Sequence, residues 1–174
     1  MTGPGRLSLA RLNVLPAEEA LARCGGFFES SPWIVERALE RRPFASLAGF
    51  HAACLGALSR AGEEERLGVI RAHPDLVGRM AREGRLTAES GREQAAAGLD
   101  VLAPEEAAAF EDYNARYKER FGFPFVICAR RNRKEAILRA FPVRLERDRE
   151  AEIAAAIAEI GDIAWLRMTD AIEG

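Results

Sequence analysis

The spacing of apolar residues along this chain restricts it to a helical fold. Two long faces of apolar side chains recur every three or four residues, which is the period of an amphipathic helix. The first comprises Leu47, Phe50, His51, Cys54, Leu55 and Leu58, and the second comprises Ile153, Ile157, Ile160, Ala164 and Met168. The segment 123–128 is a short apolar run that periodicity assigns to neither a strand nor a buried loop. Since no second alternating run is available to pair with it, the sequence predicts an all-α fold.

Capping residues, prolines and glycines divide the chain into about eight to nine predicted helices. The expected starts are Pro16, Ser31 with Pro32, Ser46, Pro104, Asn132 and a position near Asp148, while Gly25, Gly122 and Pro142 are expected to end helices. No internal repeat and no long linker interrupts this series. We therefore expect one domain over residues 1–174, built as a helical bundle.

The composition is that of an ordinary globular protein and argues against several classes of function. Of the 174 residues, 48% are hydrophobic and 30% are charged, and the net charge of −2 provides no basic field for nucleic acid or an anionic membrane. No apolar run approaches the roughly 20 residues of a transmembrane helix. The three cysteines, Cys24, Cys54 and Cys128, are spaced for neither a disulfide framework nor a metal knuckle. We expect a cytoplasmic protein with neither a nucleic-acid nor a membrane partner.

The backbone setting of His73 makes it a candidate for proton transfer. Pro74 disfavours the helical conformation for the residue before it, so the helix predicted over 63–72 has to end at His73. Asp75 is expected to cap a following helix over 76–83. A histidine at such a corner can face a pocket, and it exchanges protons near neutral pH. The alternative is a surface histidine stabilised by the dipole of the preceding helix.

The other histidine, His51, has a structural interpretation. It lies on the apolar face of its predicted helix, where a core or boundary histidine is expected. With two histidines in the chain and no cysteine or carboxylate at ligand spacing, we predict no metal site.

The segment Ser90-Gly-Arg-Glu93-Gln94 has the pattern of a capping box. Ser90 is expected to cap a helix that ends at Gly98, with Glu93 and Gln94 in its first turn. A helix N-terminus also offers free N–H groups and a positive dipole end to an anionic ligand. Taken alone, the motif favours the structural role.

Two further features are ambiguous from the residues alone. Arg167, late in the last helix, fits an ion pair with Asp170 or Asp162, yet a guanidinium facing a pocket would hold a carboxylate or urea group. The run 123–128 is typical of a core segment, but its non-helical backbone N–H groups need partners, and a polar heterocycle is one.

Together these segments resemble the 2-oxo-4-hydroxy-4-carboxy-5-ureidoimidazoline (OHCU) decarboxylase family. The resemblance covers most of the chain and depends on an ordered set of motifs, none of which is diagnostic alone. They are Phe28-Glu29, Ser31 to Ala38, Arg42-Pro43-Phe44, Ala72 to Leu76, Leu86-Thr87, Ser90, Glu93-Gln94, Ala97 to Asp100, Asn114, Tyr117, Phe121 to Cys128, Ile163-Ala164 and Arg167.

The resemblance implies an all-helical homodimer that decarboxylates this ureidoimidazoline to (S)-allantoin without a cofactor. It implies functional positions at His73 and Glu93. Our hypothesis is that His73 is the general acid–base, with Glu93 in the same hydrogen-bond network. The resemblance also implies substrate-binding positions at Pro74, Ser90, Gln94, Arg167 and the backbone of Phe125, Val126 and Ile127. The small-molecule substrate is the expected partner.

Three other interpretations stay open at the level of the sequence. A non-catalytic helical binding module would use the same polar residues as caps and surface pairs. A related enzyme would keep the pocket but act on another small ureido or imidazole compound. A DNA-binding helical regulator is disfavoured because no basic face is recognisable in the sequence.

Overall fold

A computed structural model describes residues 5–173, except for the side chains of Met80 and Arg82. It confirms the all-α fold, because helices make up nearly all of the regular structure that it describes. The chain divides into two compact units, one of Met1–Val69 with Gly161–Gly174 and the other of Ile70–Ile160. The single domain expected over residues 1–174 stays a prediction.

The first unit is a group of short helices with one small sheet. Its elements are β1 (Leu7–Ser8), α1 (Leu9–Val14), α2 (Ala17–Cys24), a 3₁₀ turn (Gly25–Phe27), α3 (Trp33–Leu39), α4 (Leu47–Ser59), most of α5 (Glu63–Arg71), the end of α10 (Arg149–Ala171) and β2 (Ile172–Glu173). Helix α3 packs against α2 and α4, and this packing buries Ile34, Val35 and Phe50 completely. The parallel pairing of Leu7 with Ile172 was not expected from the sequence.

Local signals place several helix ends of both units correctly. The Ser46 Oγ accepts a hydrogen bond from the N–H of Gly49 at 3.0 Å, so Ser46 caps α4 as predicted. Pro16 precedes the first residue of α2, and Gly25 follows the last. Gly122 follows α8 with φ of +78°, a left-handed conformation that glycine adopts without steric cost.

The second unit has an aromatic core between two helices. It contains α6 (Arg79–Arg82), α7 (Ala88–Ala96), α8 (Pro104–Phe121), a 3₁₀ turn (Ala129–Arg131), α9 (Lys134–Leu145) and the first part of α10. Helices α8 and α9 pack together. Phe125 stacks on Phe141 with ring centroids 3.9 Å apart, and Tyr117 meets the Phe125 ring edge-on at 5.2 Å. This core supports the non-helical segment that follows α8.

A buried polar network crosses the same core. Arg144 donates from Nε to the Glu152 carboxylate at 2.9 Å and from Nη1 to the carbonyl of Val126 at 2.6 Å. The Tyr117 hydroxyl donates to the same carboxylate. Burial, together with this hydrogen bond, raises the pKa of Tyr117 well above its usual value, so the hydroxyl remains a donor. Through Arg144, which lies on α9, the network fixes the carbonyl group of Val126.

Two predicted helix starts are wrong by one residue, and one predicted break is absent. Ser31 donates to the carbonyl of Glu29 at 3.0 Å, and Pro32 takes the N-cap position of α3. Asn132 donates to a carbonyl of the preceding turn, and Arg133 takes the N-cap position of α9. Pro142 lies within α9 instead of breaking it, because the apolar face of that helix is buried and outweighs the lost backbone hydrogen bond.

Candidate active site

His73 lies where α5 has ended, as the His-Pro step predicts. The last residue of α5 is Arg71, and the N–H of His73 donates to the carbonyl of Ile70 at 3.1 Å. His73 is buried, with 8% of its surface exposed, so it is not the surface histidine of the alternative interpretation. Its role in proton transfer stays a prediction. The structure adds that the side chain is buried and lies at a break between helices.

The residues after Pro74 form a turn instead of the expected helix. Asp75 does not cap a helix, because α6 begins only at Arg79 after Gly78. The Asp75 carboxylate pairs instead with Lys118 Nζ, on α8, at 2.6 Å. The turn lies against α7, where Gln94 Oε1 accepts the N–H of Val77 at 3.0 Å and Gln94 Nε2 lies 3.4 Å from the carbonyl oxygen of Asp75. The chain that follows His73 is thus held by a neighbouring helix.

Helix α7 begins one turn earlier than the Ser90 pattern predicts. Thr87 is the N-cap, and its Oγ1 accepts the N–H of Ser90 at 3.2 Å. The prediction that Ser90 caps this helix, with Glu93 and Gln94 in its first turn, is therefore wrong. The three residues share one face of α7 through their spacing of three and four. Ser90 and Gln94 are buried and Glu93 is partly exposed, so a pocket role depends on this face and not on the helix N-terminus.

The run 123–128 is a buried, non-helical segment, which settles the choice left open by its periodicity. The carbonyl of Val126 accepts from Arg144, and the N–H of Cys128 donates to Glu159 Oε2 at 2.8 Å. Within the described part of the chain, the structure gives no acceptor for the N–H groups of Phe125, Val126 and Ile127. Buried backbone N–H groups are almost always paired, so these three donors suit a ligand.

Two turns of the second unit lie against α7. Gln94 ties α7 to the turn after His73, and α7 packs against the 3₁₀ turn Ala129–Arg131 that follows the buried segment. The N–H of Lys134, at the start of α9, also donates to the carbonyl of Ala97 at 3.0 Å. The turn after His73 and the 3₁₀ turn that follows the buried segment therefore adjoin one helix.

Arg167 belongs to the first unit, where its guanidinium forms a buried ion pair that sequence analysis did not predict. Its Nη1 donates to Glu29 Oε2 at 3.0 Å and to the carbonyl of Gly26 at 3.2 Å. Both side chains of the pair are 6% exposed. Glu29 is thus a partner of Arg167, and the substrate-binding role of Arg167 stays a prediction.

A cavity of about 700 Å³ opens beside α7. Its walls are mainly apolar and include Val77, Leu86, Leu99 and Leu102, with Gln94 as the predicted site residue among them. His73, Ser90 and Glu93 are not part of its lining, so this space is not equated with the predicted catalytic site.

Two buried polar residues that had no predicted role contact a predicted site residue or the turn after Pro74. Asn114 donates from Nδ2 to the carbonyl of Leu76 at 2.8 Å, and Glu29 pairs with Arg167. Asn114 carried a recognisable signal, since it is a polar residue between Phe110 and Tyr117 on the apolar face of α8. Glu29 had no such local signal.

Neither a metal-binding cluster nor a membrane-spanning helix is found in the described part of the chain. Among the described residues, no three His, Cys, Asp or Glu side chains lie together in a group that could hold a metal ion. None of the helices in the described part of the chain combines the length and apolar character needed to cross a bilayer.

Residues 13–169 match the family model described as OHCU decarboxylase. The chain belongs to this family. The 2-oxo-4-hydroxy-4-carboxy-5-ureidoimidazoline decarboxylase of Amia calva is 41% identical over 170 residues, which cover 96% of this chain and 95% of that protein. The protein of the same name from Mus musculus is 37% identical over 167 residues, which cover 94% and 92% of the two chains.

Solved structures share the fold of this OHCU decarboxylase family member. A crystal structure of (S)-allantoin synthase has a TM-score of 0.78 and 23% identity, over 96% of this chain and 54% of that chain. A crystal structure of OHCU decarboxylase in the presence of (S)-allantoin has a TM-score of 0.66 and 20% identity, over 88% of this chain and 96% of that chain. A uric acid degradation bifunctional protein, PucL of Bacillus subtilis, is 37% identical over 161 residues, which span 32% of that longer protein.

Proposed function

We propose that this chain decarboxylates 2-oxo-4-hydroxy-4-carboxy-5-ureidoimidazoline to (S)-allantoin in urate breakdown. The observation that carries the proposal is identity of 34–41% with decarboxylases of that name from an animal and an archaeon, over nearly the whole length of both chains. The small-molecule substrate follows from membership of the family. Roles for individual residues rest on the resemblance and on the local geometry.

The chemistry of this substrate explains why such a site needs few groups. One tetrahedral carbon carries both a hydroxyl and the carboxylate, beside a ring C=N bond. When the bond to the carboxylate breaks, CO₂ leaves and the electron pair moves toward the imine, whose nitrogen takes a proton. The hydroxyl then loses its proton to become a carbonyl, and a proton adds to the neighbouring carbon. The substrate provides its own electron sink, so we propose no cofactor.

We assign the proton transfers to His73 and Glu93. His73 would act on the carbinol hydroxyl, with Pro74 restricting its backbone and Glu93 accepting or orienting the same hydrogen-bond network. Support comes from the burial of His73 and from Gln94, which ties the turn after Pro74 to the helix that carries Glu93.

Substrate binding is assigned to groups that can hold an anionic, ureido-bearing ring. The N–H groups of Phe125, Val126 and Ile127 are proposed to donate to its carbonyl oxygens, while Ser90 and Gln94 bind ring or ureido groups. Arg167 is proposed to hold the carboxylate or a carbonyl oxygen. Since Gln94 also contacts the backbone of the turn, its contribution combines substrate binding with support of the site.

A coupled assay tests the function. Urate is oxidised and hydrolysed in situ, this protein is added, and CO₂ release is compared with spontaneous decay. We expect strong acceleration, reduced about 10²–10⁴-fold by Glu93→Gln if Glu93 shares in proton transfer. Glu89→Gln is the matched control, because Glu89 is an exposed glutamate on the same helix. Decay at the spontaneous rate with wild-type protein would contradict the proposal.

We further propose that the protein is a cytoplasmic homodimer. The dimer follows from the resemblance, and the cytoplasmic location from the composition and cysteine usage. Light scattering after size-exclusion chromatography measures the mass directly; one chain is 19.1 kDa. A mass of one chain at micromolar concentration would contradict the dimer.

A further inference from the structure

The turn after the His73-Pro74 step contains a backbone conformation that needs outside support. Val77 has φ of +56°, in the left-handed region that a β-branched residue rarely adopts. Such a conformation is strained and persists only where the surroundings over-determine it. The contacts that hold Val77 therefore also determine the path of the chain next to His73.

Two side-chain amides form hydrogen bonds with the peptide group that joins Leu76 to Val77. Nδ2 of Asn114, on α8, donates to the carbonyl oxygen of Leu76 at 2.8 Å. Oε1 of Gln94, on α7, accepts the N–H of Val77 at 3.0 Å. That carbonyl and that N–H are the two polar ends of one planar unit. Rotation of this peptide group would change φ of Val77 and break both hydrogen bonds at once.

The energetics of Asn114 indicate that it fixes an orientation more than it adds stability. Asn114 is buried, and within the described part of the chain its Oδ1 has no hydrogen-bond partner. The net stability gained from one hydrogen bond is small, and an unsatisfied buried polar atom costs at least as much. These contributions roughly cancel. What remains is the fixed direction of the Leu76 carbonyl.

We propose that Asn114 is a positioning residue for His73, acting through the Leu76–Val77 peptide group. The other end of the segment is already fixed, because the N–H of His73 donates to Ile70 and Pro74 restricts the conformation of His73. Asn114 supplies the constraint on the far side and thereby sets the direction of the imidazole. The inference rests on the proposed function, in which that imidazole moves protons.

Two substitutions at Asn114 test this role, and a second asparagine provides the matched control. Asn114→Ala removes the amide, and Asn114→Asp keeps its shape but removes the donor to Leu76. In the first unit, Asn13 donates to the carbonyl of Phe44 at 2.9 Å and accepts its N–H at 2.8 Å. Asn13→Ala therefore removes the same kind of contact from a different backbone segment.

Steady-state kinetics give the first readout. We expect both Asn114 variants to lose about 10-fold to 100-fold in kcat with KM nearly unchanged, since small displacements of a reacting group have effects of that order. Asn13→Ala should keep the wild-type kcat. Adding Val77→Gly to Asn114→Ala should restore part of the lost kcat, because glycine adopts a positive φ without strain. A purely structural role of Asn114 predicts no such recovery.

The imidazole signals in ¹H–¹⁵N spectra of the substrate-free protein give the second readout. The chain has two histidines, so His51 serves as an internal reference for His73. We expect the His73 signals to shift or broaden in the Asn114 variants while those of His51 stay in place. Folded variants with unchanged His73 signals would overturn the inference, whatever their kcat. If the wild-type protein lacks decarboxylase activity but the His73 signals still respond, the proposed function fails and the positioning role stands.

Discussion

Replacement of Arg144 by methionine removes the cation from a deeply buried ion pair of the second unit. The Arg144 side chain is 7% exposed and that of Glu152 is 0% exposed. After the substitution, Glu152 retains the Tyr117 hydroxyl and a long contact of 3.5 Å with Arg147, a side chain that is 45% exposed. Neither replaces the buried guanidinium. The carbonyl of Val126 also loses its donor.

The size of the effect follows from this burial. Removing one member of a buried ion pair costs about 3–5 kcal/mol, because the remaining charge stays desolvated. For a protein of this length, 1 kcal/mol corresponds to about 2–4 °C in Tm, so Arg144→Met should lower Tm by about 6–20 °C. Arg116→Met is the matched control. Arg116 pairs with Asp112 at 3.4 Å, both side chains are more than half exposed, and the loss should stay below about 0.5 kcal/mol.

Urea unfolding followed by circular dichroism measures the difference. The midpoint should fall for Arg144→Met with an unchanged slope, and the double variant Arg144→Met/Glu152→Leu should recover much of the loss because no buried charge remains. A loss below about 1 kcal/mol for Arg144→Met would refute the view that this pair is desolvated. Failure of the double variant to recover would show that Arg144 acts through Val126 and packing instead.

Three further outcomes are expected from other parts of the structure. Glu29→Ala should destabilise the protein by about 3–5 kcal/mol in urea unfolding, since it removes the carboxylate from a buried ion pair; a change within 0.5 kcal/mol would contradict the pair. Gly78→Ala should lower the free energy of unfolding by about 1–3 kcal/mol, because a Cβ would lie 2.6 Å from that of Asp75, and wild-type stability would mean that the turn yields freely. Burial raises the pKa of the Cys24 thiol to about 11, so iodoacetamide should label this thiol slowly near pH 8 until urea unfolds the chain. Mass spectrometry measures the labelling rate, and equal rates before and after unfolding would count against this burial.

Features that depend on neighbouring residues in the chain were predictable. The break at His73 follows from the proline beside it, and the end of α8 follows from the glycine at 122. The start of α7 was not predictable, because Thr87 and Ser90 are both suitable N-cap residues and lie three residues apart. The sequence alone cannot choose between two such caps. The structure assigns the cap to Thr87, whose hydroxyl accepts the N–H of Ser90.

Contacts between distant segments account for most of what the sequence could not show. The carboxylate that pairs with Arg167 lies 138 residues away at Glu29, and no local pattern connects them. The amide of Gln94 meets a turn that lies 17 to 19 residues earlier. The family pattern predicted which residues belong to the site. Their hydrogen-bond partners are set by tertiary packing, which for Gln94 adds support of the turn to the predicted substrate contact.

The stereochemistry of the product, measured with and without His73, tests the central claim most directly. In the coupled urate assay, circular dichroism follows the appearance of (S)-allantoin with wild-type protein, His73→Asn and His51→Asn. His51 is the control because its Nε2 lies 2.9 Å from the carbonyl oxygen of Gly161, a structural contact in the first unit. We predict rapid formation of optically active product by the wild type and His51→Asn, and a loss of about 10²–10⁴-fold for His73→Asn. Slow racemic product with the wild type, or near-normal turnover by His73→Asn, would contradict the account.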